Sequence, residues 1–212
     1  LIFSAAVHEF SHGLAAWRLG DPTAKDAGRL TLNPIAHIDP IGSILMPILG
    51  MFSGIMFAWA KPVPYNPYNL RDQKFGDLKV ALAGPFSNLL IAFGAGFLSR
   101  LVPISEQLKQ ALVFTDRNDV LNLTYGSLWA AIYLMLSLVV FYNLILFVFN
   151  LIPIPPLDGS KIVYTILPHH LKYKWAMYED KFIILLLILI MFGFFSFIQY
   201  PIFYLYSLFL GV

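Results

Sequence analysis

The stretch from residue 128 to 152, LWAAIYLMLSLVVFYNLILFVFNLI, carries no charged side chain. About 20 helical residues of this kind cross the roughly 30 Å of hydrocarbon in a bilayer. Further apolar stretches lie near residues 1–19, 41–60, 78–102 and 182–197, and a shorter one at 200–212 carries Pro201 near its start. Of the 212 residues 58% are hydrophobic and 16% aromatic, beyond what soluble domains carry, so the chain reads as an integral membrane protein. A net charge of +2 is too small to argue for a nucleic-acid partner. The absence of cysteine excludes disulfides, thiol catalysis and Cys-ligated zinc. Any metal must therefore rest on His, Asp or Glu.

The charged residues gather between the apolar stretches and orient them. If residues 41–60, which hold Pro47 and three glycines, crossed the membrane, Lys and Arg would divide six against eight, which orients nothing. If that stretch returns to the side it left, Arg18, Lys25, Arg29, Lys61, Arg71, Lys74, Lys79, Lys161, Lys172, Lys174 and Lys181 face one side. Arg100, Lys109 and Arg117 face the other, a clear positive-inside pattern. The expected fold is an all-α polytopic membrane protein of about five transmembrane helices with a re-entrant hairpin over 41–67. Loops 18–79 and 158–181 are cytoplasmic in this topology, with the cell membrane as the expected residence, and 103–127 lies outside. Residues 200–212 form either a surface-lying or half-inserted helix or a sixth span. The apolar pattern is already under way at Leu1, which predicts a short upstream stretch, and ionisable residues in mid-segment exclude a signal peptide.

Those ionisable residues are the chemical signal. His8 and His12 are four apart, so a helix sets both imidazoles on one face a turn apart, with Glu9 beside them. In H-E-x-x-H two histidines hold zinc and the glutamate accepts a proton from the attacking water. Strongly polar groups in hydrocarbon are costly, and three close together have no ordinary packing role. Ala5 and Ala15 on the same face are small enough to admit a neighbouring helix, which should bring a third ligand. In FNLIPIPPLDG, residues 149–159, prolines 153, 155 and 156 stop the long apolar helix and present Asp158 on irregular chain. Asp158 is the candidate third ligand; its competing role is to cap the segment 159–167.

The two motifs together resemble those of the site-2 protease family of intramembrane zinc metalloproteases, peptidase family M50. The resemblance rests on His8, Glu9 and His12 in HEFSH, and on NLIPIPPLDG, residues 150–159, with Asp158 as third ligand. It implies one Zn2+ per chain, Glu9 as general base, and Asn150 as a group that positions substrate or donates to the developing oxyanion. It covers segments 1–34, 78–102 and 128–165 as a three-helix core within a single membrane-embedded domain, joined by the re-entrant segment 41–67 and the C-terminal helices 182–212. GRLTLNPIAHIDPIG, WAKPVPYNP and AGPFSN are similar to the compact branch of the family. The longest polar loop, about 25 residues, is too short for a PDZ domain. The implied partners are a single-span membrane-protein substrate and the bilayer, with no regulatory partner or oligomer specified.

Residues 28–34, GRLTLNP, and 61–67, KPVPYNP, read as short membrane-embedded strands or edges that could pair with an unwound substrate. His37 and Asp39 could extend the site but read rather as structural, and Asn88 and Asn143 could line the cavity but read rather as groups in helix-to-helix hydrogen bonding. Two other function classes stay open. A transporter or channel could use the buried His, Glu and Asp, though it would show inverted repeats. A catalytically inactive zinc-binding scaffold would differ in lacking an intact Glu9 or ligand set.

Overall fold

The computed structural model describes residues 1–45, 60–114, 123–177 and 179–212. Among these residues the regular structure is helical and no strand is present. In chain order the helices are α1 (Ile2–Arg18), the short α2 (Thr23–Asp26), α3 (Gly76–Arg100), α4 (Glu106–Phe114), α5 (Leu128–Asn150), α6 (Ser160–Ile166), α7 (His169–Met177), α8 (Glu179–Met191) and α9 (Gln199–Leu210). Of these, α3 and α5 are long and apolar enough to cross a membrane. The chain divides into two compact units, residues 1–87 with 150–187 and residues 88–149 with 188–212.

The second unit is turned inside out relative to a soluble domain. Asn88, Ser99, Ser137 and Asn143 are buried, while Leu90, Phe93, Phe97 and Leu101 form an exposed stripe at helical spacing along α3 and beyond its end. Such a stripe is what lipid-facing helices present. Each of these four side chains has a partner. Asn88 Nδ2 donates to Asn143 Oδ1 at 2.9 Å and Asn143 Nδ2 to the Val139 carbonyl at 2.8 Å. Ser99 and Ser137 return to carbonyls of their own helices. The expected helix-to-helix hydrogen bonding thus joins Asn88 of α3 to Asn143 of α5.

Helix α9 buries Ile202, Tyr206 and Leu210. Phe203 and Tyr206 meet Phe141 of α5, and Phe209 meets Phe93 of α3. The Arg100 guanidinium at the end of α3 donates to the carbonyls of Leu208 and Phe209, placing a cation on the negative end of the α9 dipole. Helix α9 thus packs on both long helices.

In the first unit α1 buries Ser4, His8, His12 and Ala16, four residues apart, together with Ala6 and Gly13. Ala16 packs with Leu70 and Val80. The small residues fully enclosed on this helix are Ala6 and Ala16, whereas Ala5 and Ala15 are half-buried. The chain turns at Gly20 and returns the Asp21 N–H to the Ala16 carbonyl at 2.9 Å.

Asp21 is fully buried and collects four donors: Thr23 Oγ1 (2.6 Å), Thr23 N (3.2 Å), Asn69 Nδ2 (2.8 Å) and Asn66 N (2.7 Å). Burial pushes its carboxyl upward, but the bonds from Thr23, Asn69 and Asn66 outweigh this and hold it below the usual carboxylate range.

Two expectations are corrected and a third falls largely outside the described residues. Residues 28–34 and 61–67 form no strand and run largely as irregular chain; in 61–67 the alternating prolines remove the donors that a ladder needs. The span expected over 182–197 ends at Met191, because Gly193 adopts a left-handed conformation (φ 67°) and a 3-10 turn, Phe194–Ile198, follows. Of the re-entrant segment, Pro40–Leu45 winds as one π-helical stretch, and 46–59 lie outside the described residues.

A depressed carboxyl stabilises the fold above its unfolded pKa, about 3.9, and this contribution is lost as pH falls through the lower folded value. Melting of wild type and Asp21→Asn in detergent between pH 3 and 7 should show the largest stability difference above about pH 4, narrowing below it. A difference that is constant across this range would contradict the assignment.

Candidate metal centre

Helix α1 delivers His8 and His12 to one side, as the four-residue spacing requires, and the loop after α5 delivers Asp158 to the same point. His8 Nε2 and His12 Nε2 lie 2.9 Å apart. Asp158 Oδ2 lies 3.1 Å from the first and 3.4 Å from the second. A tetrahedral ion with bonds of about 2.0–2.1 Å separates neighbouring ligand atoms by about 3.3 Å, so the three edges match such a centre. The donor atoms of His8, Glu9 and His12 lie within 4.8 Å of one another.

The tautomer is fixed from α3. His12 Nδ1 lies 2.8 Å from the Val80 carbonyl, which can only accept, so the proton sits on Nδ1 and the Nε2 lone pair faces the triangle. Asp158 Oδ2 is buried and makes no hydrogen bond. Lone pairs therefore converge from His12 and Asp158 beside His8, and a cation is what relieves their repulsion. Two neutral imidazoles and a carboxylate suit zinc, whose structural and catalytic sites use these donors.

Asp158 reaches this point because the chain folds back on the end of α5. The Asn150 carbonyl, at the last residue of that helix, accepts the Gly159 N–H at 2.7 Å and closes the intervening turn. Turns from Ile152 to Ile154 and from Ile154 to Leu157 lie within it. The capping role is not taken: α6 starts after Gly159 with no side-chain cap. Asp158 keeps its carboxylate for the histidines.

Glu9 points elsewhere. Its Oε2 accepts the backbone N–H of Val63 at 2.9 Å, from the proline-rich segment 61–67. His37 is buried with Nε2 on the Thr31 carbonyl, and Asp39 accepts the Gly42 N–H, so both serve local structure as expected.

One residue of the site went unrecognised in the sequence. A Cβ at Gly84 would fall on His12 Nε2 and 2.6 Å from His8 Nε2. The backbone of α3 comes this close because Gly84 has no side chain; the small residue that admits the neighbour stands on α3, opposite α1. The AGP triplet inside an apolar helix was its sequence signal, since a glycine beside Pro85 in a helix interior has no conformational reason to be there.

The model of peptidase family M50 matches residues 65–193, which include Asp158 and lie downstream of HEFSH. A candidate zinc metalloprotease of Bacillus subtilis, YwhC, is 35% identical over 201 residues, 95% of this chain and 82% of YwhC. Rip2 of Mycolicibacterium smegmatis, named in the same way, is 31% identical over 74% of this chain. Rip2 of Mycobacterium tuberculosis is 28% identical over 81%. The aligned parts span 52% and 55% of these two longer relatives. No solved structure matches the chain.

Gly84→Ala should press a methyl group onto both ring nitrogens. Zinc affinity, measured by competition with a chelator, is expected to fall by about 10- to 100-fold with helical content kept. Wild-type affinity in this variant would refute the close approach.

Proposed function

The chain belongs to peptidase family M50, and from that premise we propose that it hydrolyses a peptide bond within or beside the transmembrane segment of a single-span membrane protein. It is a membrane-embedded zinc metalloprotease of the site-2 type. The observation that carries the proposal is the triangle of His8 Nε2, His12 Nε2 and Asp158 Oδ2, whose edges suit one tetrahedral ion with an open fourth position. In this reading these three residues are the ligands and Glu9 is the general base.

When bound, zinc lowers the pKa of a water to about 7 and polarises a carbonyl. Glu9, within 4.8 Å of the histidine nitrogens and outside the triangle, takes the proton of the attacking water and passes it to the leaving amine. Asn150 ends α5 at the turn that carries Asp158, where its amide would donate to the carbonyl oxygen of the substrate as negative charge develops. Val80 keeps His12 in the binding tautomer throughout.

The multi-pass topology belongs to the same reading. The positive-inside pattern supports a cytoplasmic face for 18–79 and 158–181, in the cell membrane. The bond of Arg100 to the end of α9 favours a crossing C-terminal segment whose end shares the outer level of Arg100, in place of a surface helix. Because Lys109 is buried against Glu106 while the Glu106 side chain is exposed, the useful outer probe is Glu106. Cysteines replacing exposed Arg71 and Glu106 should label from opposite faces of sealed vesicles; labelling from one face would end this topology.

Glu9→Gln should abolish cleavage of a model single-span substrate, by roughly 10²-fold or more, while binding one zinc per chain. Asp158→Ala should lose both zinc and cleavage. Undiminished cleavage by the Glu9 variant would defeat the mechanism.

A further inference from the structure

Glu9 has three rotatable side-chain bonds and sits one residue from a metal ligand, so the helix alone does not fix where its carboxylate points. The structure supplies a fixed donor. Val63 N–H reaches Glu9 Oε2 at 2.9 Å, and Val63 itself is buried. Its neighbours Pro62 and Pro64 have no N–H, so this is an isolated donor in its stretch of chain.

The segment carrying it is tied down at each end and in the middle. Lys61 N–H donates to the His37 carbonyl at 2.9 Å, and Arg29 Nη2 to the Lys61 carbonyl at 3.0 Å. Tyr65 hydroxyl donates to Asp77 at the start of α3. Beyond it, Asp21 Oδ2 takes the Asn66 N–H at 2.7 Å and Asp21 Oδ1 the Asn69 amide at 2.8 Å. On the helix side Gly13, one turn after Glu9, leaves the notch that Val63 fills: a Cβ there would be 3.0 Å from Val63 Cγ1. The strap from 61 to 69 is therefore hung on α1 at three points, Glu9, Gly13 and, just past the helix end, Asp21. A shift at the far anchor moves the donor at the near one.

We propose that the Val63 N–H is the positioning group for the Glu9 carboxylate, and that Asp21, through the strap, is the positioning residue that sets it. This rests on the reading of Glu9 as general base. One carboxylate oxygen is committed to Val63, which leaves the other to meet the water. It also holds the carboxylate from swinging into the ligand triangle.

Val63→Pro removes the one donor; a residue before proline already occupies the extended region that proline adopts, so the strap can keep its path. Misplacement of a reacting group by about 1 Å costs on the order of 10²-fold, so kcat for a model single-span substrate should fall by that order. KM should change by less than about twofold and zinc content should stay at wild type, because neither substrate contact nor ligand is touched. Asp21→Asn turns one acceptor oxygen into a donor facing other donors and should lower kcat by roughly tenfold, again without loss of zinc.

Val63→Pro with kcat within about twofold of wild type, or with zinc lost alongside kcat, overturns the inference, the second outcome showing the strap to be merely structural. Asp21→Asn with kcat within about twofold of wild type removes Asp21 from it. Glu9→Gln assayed beside them separates the two levels: if that variant cuts, the base assignment fails, whereas if it is dead and Val63→Pro is active, only the positioning role fails.

Discussion

The fold is organised around an arrangement that is unfavourable for the protein by itself. His8, His12 and Asp158 bring two ring nitrogens and a carboxylate oxygen within 2.9–3.4 Å, largely out of water. Acceptors this close repel unless a cation or a proton lies between them, and a low-dielectric setting strengthens the repulsion. The surrounding chain must hold each group against it. Val80 grips the far nitrogen of His12, the Asn150 to Gly159 bond closes the loop that carries Asp158, and Gly84 lets the backbone of α3 form the wall. A divalent ion then binds a site whose ordering has been supplied by folding, which is the condition for a specific ligand geometry.

Much of this hangs on one helix. Successive positions of α1 face different tasks because 3.6 residues make a turn. His8 and His12 face the metal centre, Glu9 is turned toward the strap, Gly13 takes the strap's side chain, and Ala16 closes against Leu70 and Val80. Asp21, just past the helix end, anchors the far part of the strap. A rigid rod is thus the common reference for His8, Glu9 and His12, so their relative positions do not depend on a flexible connection.

What the sequence made legible follows from the range of the forces involved. The histidine pair was readable because helical period is local, and Asp158 because three prolines within a few residues force a break at a definite place. Gly84 and Val80 act across 68 or more residues of chain, where no local pattern reports the pairing. The strand reading of 28–34 and 61–67 failed for a related reason. Short extended-looking segments are a local sign, but a ladder also needs a partner with free donors, and in 61–67 the alternating prolines had removed them. The break at Gly193 was hidden because an apolar run around a glycine looks the same whether φ is negative or positive.

The prolines of KPVPYNP then acquire a meaning that the strand reading could not give them. A regular strand would spend its N–H groups on a neighbouring strand, leaving none for Glu9. By deleting the donors at 62, 64 and 67, the sequence makes the remaining ones few, and side chains or isolated carbonyls claim them singly: Lys61 goes to His37, Val63 to Glu9 and Asn66 to Asp21. The same deletion protects the strap from pairing with other extended chain beside it. Donors withdrawn in this pattern keep the chain beside the His8, His12 and Asp158 triangle from becoming an edge strand, so the loss of regular structure at 61–67 is what leaves the Val63 N–H to the Glu9 carboxylate.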